Sequence, residues 1–207
     1  MTAIADRPVP DSGAPAVPPG LPHVDLLRLR DRLEPVERAR LDAIEDHLQT
    51  RVRPHLTRYW DAEEFAFDLL PGLAELGLGR LVLDGSTSLF QQLVHAEIAR
   101  VDLSLSALVG IHNELNLGMI AGLGSERQKA TWQGRLESFD ALGAFCLTEP
   151  DHGSDIAGGL ATTATRDGDE WVIRGAKRWI GAGTIADVAL VWARDTADGE
   201  IKGFVVP

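Results

Sequence analysis

Two short segments carry the residues best suited to hold a ligand. Residues 144–155 read AFCLTEPDHGSD, an apolar run that ends in Thr-Glu-Pro and a Gly-Ser-Asp turn; residues 177–181 read KRWIG, an apolar run around a Trp with glycine behind it. A flavin ring requires a flat apolar wall together with backbone and hydroxyl donors directed at its polar pyrimidine edge. A strand ending in Leu147-Thr148 offers both, Pro150 and Gly153 favour a tight turn that brings N–H groups near a ligand, and Trp179 supplies a flat wall. Taken singly, Thr-Glu-Pro is an ordinary strand-ending turn and Trp179 an ordinary core aromatic. Their joint occurrence, in this order and spacing, favours the ligand.

Other candidates are weaker. Residues 181–186, GAGTIA, match the Gly-x-Gly-x-x-Ala dinucleotide fingerprint, which needs a following helix to present N–H groups to a diphosphate. Here a strand-like VALVWA run follows, so a nicotinamide-binding unit is the minor alternative; a helix after Ala186 would favour it and a strand would remove it. His23, His47, His55, His95, His112 and His152 show no paired metal spacing, and no metal ligand is assigned. Cys146 reads as a buried strand residue. Glu97 and Arg100 read as a solvated helix face.

The chain of 207 residues carries a formal charge of −11 and is 44% hydrophobic. Such an acidic balance argues against nucleic acid and against a polybasic membrane anchor. No apolar run reaches the roughly 18 residues that cross a bilayer. A single cysteine allows no internal disulfide and suggests a cytoplasmic setting. Residues 1–22, with six prolines among Ala, Gly and Asp, read as a disordered tail.

Helical spacing dominates up to about residue 140. Leu41, Ile44, Leu48 and Val52 share one face of a helix expected over Pro35–Val52, with Pro54 as its stop. Leu26, Leu29 and Leu33 suggest a short helix before it. Pro71 marks a break between two short helices within Glu63–Leu76, and residues 77–86 are too glycine-rich to read. Leu89, Leu93, Ala96 and Ile98 place a helix over Ser88–Val101; another runs from Ser104 to about Leu123, and Ser125 caps one carrying Trp132. Beyond Ala141 come short strands: 162–166 and 170–173 flank an Asp-Gly hairpin step, 188–193 reads as a buried central strand, and 202–206 follows. Helices first and strands second give an α+β fold, an all-helical domain over 23–140 and a partial, antiparallel, barrel-like β-domain over 141–207.

These motifs resemble the acyl-CoA dehydrogenase family over residues 35–207: a helical domain, a linking Gly-Ser-Glu-x-Gln-Lys element at 124–129, then Leu-Thr-Glu-Pro-x-x-Gly-Ser-Asp and Lys-x-Trp-Ile. The resemblance implies FAD as cofactor, contacted by Phe145, Cys146, Leu147, Thr148, Gly153, Ser154, Trp179, Ile180 and Gly181, with Ser154 also touching the acyl-CoA. It implies α,β-desaturation of an acyl-CoA thioester, a carboxylate removing the α proton while the β hydrogen leaves as hydride to the flavin. Electron-transfer flavoprotein or oxygen would reoxidise the cofactor, and family members are homo-oligomers.

Three departures qualify the carry-over. The family's catalytic glutamate lies in a C-terminal helical domain with no counterpart here, so no catalytic residue is assigned; the chain is expected to be inactive alone, as a truncated form or a non-catalytic flavin- or partner-binding module. Many members place Thr after Trp-Ile, where this chain has Gly181; this form, with TEPDHGSD and VWAR, looks most like the glutaryl-CoA dehydrogenase and plant short-chain acyl-CoA oxidase branch. Glutaryl-specific enzymes carry an Arg that aligns with Ser106, and a neutral hydroxyl cannot pair a distal carboxylate bidentately, so a monocarboxylic acyl-CoA is expected.

Overall fold

The computed structural model describes residues 25–207; the tail expected over 1–22, and His23, lie outside them. The helical part comprises α1 (Pro35–His47), α2 (Arg53–Ala62), α3 (Leu70–Glu75), α4 (Ser88–Val101), α5 (Leu103–Gly110), α6 (Gly118–Leu123) and α7 (Glu126–Glu137). A single turn, α8 (Ile156–Gly159), falls among the strands β1 (Gly143–Cys146), β2 (Thr163–Asp167), β3 (Glu170–Arg174), β4 (Val188–Asp195) and β5 (Ile201–Val206). Helices precede strands, so the α+β order holds.

The face expected of the first helix is the one that packs: Leu41, Ile44, Leu48 and Val52 are all fully buried. Pro54 does not stop it. Residues Leu48–Val52 form a π-helical turn, and the chain runs on into α2 with Pro54 in its first turn, where a missing N–H leaves no ladder bond broken. Pro71 sits in the first turn of α3, directly after a 3₁₀ turn, Phe67–Leu69, so the two expected short pieces meet just before it. Of the leucines upstream, Leu33 is buried while Leu26 is exposed, and only a 3₁₀ turn, Leu29–Arg32, forms.

α4 has the expected bounds and most of the expected face: Leu93 and Ile98 are buried and Leu89 packs on the core, but Phe90, Val94 and Glu97 also point inward, whereas Ala96 is exposed. The solvated reading of Glu97 is therefore overturned. Its carboxylate lies in the core with Arg100 against one oxygen and Arg30 Nη1 3.3 Å from the other, and Glu45 bridges the same two arginines at 2.7 and 3.4 Å. Burying a carboxylate is tolerable only with such partners. At Glu45 burial would raise the carboxyl, but Arg30 and Arg100 hold it below its ordinary value.

Asp102 caps α5, its side chain accepting the Leu105 N–H at 2.7 Å. The helix continues through a π-helical run, Ile111–Leu117, into α6. That run buries His112, Asn113 and Asn116 at the seam between helices and strands. Asn113 bonds Leu78 O at 2.7 Å, His112 Nε2 meets Leu136 O at 2.7 Å, and Asn116 packs so closely on Gly143 that a Cβ there would sit 2.7 Å from the Asn116 Cβ. Ser125 and Gln128 form a capping box at the start of α7.

β4 is central, with β5 antiparallel along one edge. Along its other edge β1 pairs with residues 188–191 and β2 with 194–195, both parallel. The expected antiparallel pairing thus describes β2–β3 and β4–β5, and the sheet as a whole is mixed. Alternation alone could not show this, because β1 and β2 are short and their long connections hide the direction of return. Residues 181–185 form turns that enter β4 directly, so no helix follows the glycine fingerprint and the nicotinamide reading falls.

Candidate functional site

β1 ends at Cys146, and the chain leaves the sheet through Leu147 and Thr148. The Lys177–Gly181 segment lies alongside, tied by three bonds: Arg178 N–H donates to Thr148 O at 2.9 Å, Lys177 Nζ to Leu147 O at 2.9 Å, and Lys177 Nζ to Glu149 Oε1 at 2.8 Å. The two motifs, distant in sequence, are thereby one edge.

Glu149 organises that edge. Its side chain is 3% exposed, and its two oxygens also accept the N–H groups of Ala161 at 2.6 Å and Thr162 at 2.8 Å. Burial would raise the carboxyl; Lys177, Thr162 and Ala161 outweigh it and hold the group at about 2. One carboxylate thus fixes the strand end, the Lys-Arg-Trp segment and the entry to β2. Sequence reading quoted Glu149 and Lys177 within the motifs without assigning them this work; the signal was an acid directly after the strand-end Thr and a lysine two before the Trp.

The other residues fall into place around the edge. Phe145, Cys146, Leu147, Thr148 and Ile180 are half-buried, while Gly153, Ser154 and Gly181 are exposed. Phe145 meets Trp192 edge-on, ring centroids 6.0 Å apart. Burial pushes the Cys146 thiol up, against a smaller opposing pull from Lys177, which suits an inert strand residue. In the turn, His152 Nδ1 and Asp155 Oδ2 are 2.7 Å apart, and this bond raises the imidazole. Trp179 is no core aromatic: it is 79% exposed, with φ +61°. A bulky residue at positive φ is strained, and such strain clusters at functional sites. The Ser106 hydroxyl donates to His95 O at 3.1 Å.

These residues fit a flavin. Among the described residues the Thr148 and Ser154 hydroxyls make no hydrogen bond, the Trp179 indole is exposed, and a Cβ at Gly153 would meet nothing within 4 Å. A separate cavity of about 330 Å³, lined by Leu56, Tyr59, Trp60, Phe65, Ala66 and Leu105 among others, contains none of them. Of its polar groups, Trp60 Nε1 bonds Asp102 Oδ2 at 2.9 Å and the Tyr59 hydroxyl pairs with Asp68. No described helix is long and apolar enough to cross a membrane.

Residues 34–140 match the acyl-CoA dehydrogenase N-terminal domain and residues 144–207 the acyl-CoA dehydrogenase middle domain. The mitochondrial isobutyryl-CoA dehydrogenase of Dictyostelium discoideum is 35% identical over 165 residues, covering 76% of this chain and 39% of the relative. The human mitochondrial short-chain specific acyl-CoA dehydrogenase is 37% identical over 142 residues, covering 63% and 34%. A glutaryl-CoA dehydrogenase from Mycobacterium smegmatis superposes with a TM-score of 0.80 at 38% identity over 88% of this chain and 48% of the other; a structure of such an enzyme from the same organism with FADH2 gives 0.81 at 34% identity, with the same coverage. The chain spans less than half the length of these relatives. With both domain models matched in order across most of its residues, the chain belongs to the acyl-CoA dehydrogenase family.

Proposed function

We propose that this chain supplies the flavin-contacting edge and the thioester-contacting turn of an FAD-dependent enzyme that desaturates an acyl-CoA between its α and β carbons. The observation that carries the reading is the bonded pair of segments that ties the strand end at Thr148 to the segment bearing the exposed Trp179 indole. Leu147 and Trp179 would bound the ring and Thr148 would donate to its polar edge; Phe145, Cys146, Ile180 and Gly181 complete the surround. When bound, FAD accepts the electron pair and the β hydrogen. Ser154, in the exposed turn, would orient the thioester beside the ring.

The α proton needs a base, and Glu149 is not suited to be it. Glu149 is committed to Lys177 and two backbone amides, and its depressed pKa makes it a poor proton acceptor at neutral pH. The neutral Ser106 supports a monocarboxylic substrate over a dicarboxylic one, and the relatives named for short-chain and isobutyryl thioesters are consistent with that. Electron-transfer flavoprotein or oxygen would take the electrons onward, the latter making the enzyme an oxidase. A cytoplasmic setting rests on cysteine usage alone, since several relatives are named as mitochondrial.

Calorimetric titration of the FAD-loaded protein with butyryl-CoA tests the substrate half. Binding that weakens by about 1 kcal/mol, roughly five-fold, in Ser154→Ala is expected for loss of one hydrogen bond. Equal affinity in both proteins would remove Ser154 from the site.

A further inference from the structure

We propose that Arg178 is a positioning residue for Trp179, stacking on one face of the indole so that the other face is held as a fixed wall for the flavin. The proposal rests on the flavin reading above and goes beyond it, because nothing in that reading gives Arg178 a role.

The Arg178 guanidinium carbon stands 4.4 Å from the centroid of the Trp179 ring. Neighbouring side chains along an extended segment point to opposite sides. The left-handed φ of +61° at Trp179 breaks that alternation and brings the indole under the preceding guanidinium. The strained dihedral and the stacking are therefore one arrangement. Among the described residues Arg178 makes no ion pair, so its side chain is not drawn elsewhere; the neighbouring Lys177 is the one committed to Glu149.

A planar guanidinium on one face of an exposed ring limits the rotamers that the ring samples and leaves one face for a flat ligand. An indole otherwise 79% exposed would have to be ordered when the ligand arrives, at a cost in affinity. Shortening Arg178 removes the stack without touching the bonds that hold the segment. Those run through the Arg178 backbone N–H to Thr148 O and through Lys177, and neither depends on the Arg178 side chain.

Two measurements on the whole chain test this. In the ligand-free protein, time-resolved fluorescence isolates Trp179 as the difference between wild type and Trp179→Phe. Arg178→Ala should enlarge the fast depolarisation of that component, and Arg178→Lys should fall between Ala and wild type, with the urea midpoint unmoved in both. In FAD titrations, Arg178→Ala should bind about two- to five-fold more weakly than wild type, the fold-change expected of an exposed cation–π contact, with Lys again intermediate. Unchanged depolarisation overturns the proposal, and so does equal FAD affinity in wild type and Arg178→Ala. A wild-type chain that binds no FAD overturns the flavin reading and with it the ligand half of the proposal, while depolarisation still decides whether Arg178 orders the ring.

Discussion

Replacing Glu149 by Ala should lower stability by about 3–5 kcal/mol, the cost of leaving a buried ammonium without its carboxylate. Lys177 is 11% exposed and has only Leu147 O in addition, while the N–H groups of Ala161 and Thr162 would lose their acceptor. The effect should reach the ligand edge, because the same carboxylate joins the strand end to the Trp179 segment. Urea unfolding checks the first part, and FAD affinity of the folded fraction the second. Glu149→Gln keeps the volume but not the charge and should cost less.

The same group sets a pH dependence with a defined sign. Its carboxyl titrates at about 2 in the folded chain against an ordinary 4.5. The stabilisation, on the order of 3 kcal/mol, is complete above pH 4.5 and is lost as pH falls from there through about 2. In Glu149→Gln this part of the acid limb should be absent; an acid limb identical to wild type would contradict the assignment.

The second large effect is expected at Glu97. Glu97→Ala should cost about 3 kcal/mol, the lower end of the range for breaking a buried pair, because Glu45 and Asp42 still hold Arg30. For a chain of this size that is a fall of roughly 6–12 °C in melting temperature. The loss should sit in the helical part, where Arg30 ties the Leu29–Arg32 turn to α1 and α4. Calorimetry of the variant checks it; a melting temperature within a degree or two of wild type would make the network ornamental.

Glu97 also shows where reading from the sequence stops. Periodicity found α4 and its bounds, but apolar spacing chose Ala96 for the inner face, and the structure turns the helix so that Glu97 faces in. A carboxylate is acceptable there because Arg30, 67 residues away, joins Arg100 from the next turn in pairing it. No local pattern carries the Arg30 contact. Pro54 failed for a related reason: a π turn just before it absorbs the missing donor, and π turns have no compositional signature. The four-residue face that runs from α1 into the π turn, the hairpin at Asp167-Gly168-Asp169 and the Ser125 cap were legible because each is set by neighbours in sequence.

The candidate site divides in the same way. Its residue types and turn chemistry were readable within two short motifs. What joins the motifs was not, since nothing local distinguishes Glu149 from a turn residue, and its three side-chain bonds run to the β2 entry at Ala161 and Thr162 and to Lys177. Trp179 was readable as an aromatic within the second motif, but its exposure and left-handed dihedral were not.

The most direct test of the flavin site is the indole region of a ¹⁵N-correlated NMR spectrum as FAD is added. The chain has five tryptophans, so each indole N–H is a separate reporter of place. FAD bound at the proposed edge should shift Trp179 strongly, together with the backbone amide of Thr148, and leave Trp60 and Trp132 in the helical part unmoved. Shifts confined to Trp60 would put the ligand in the helical cavity, and no shift at Trp179 under saturating FAD would contradict the site.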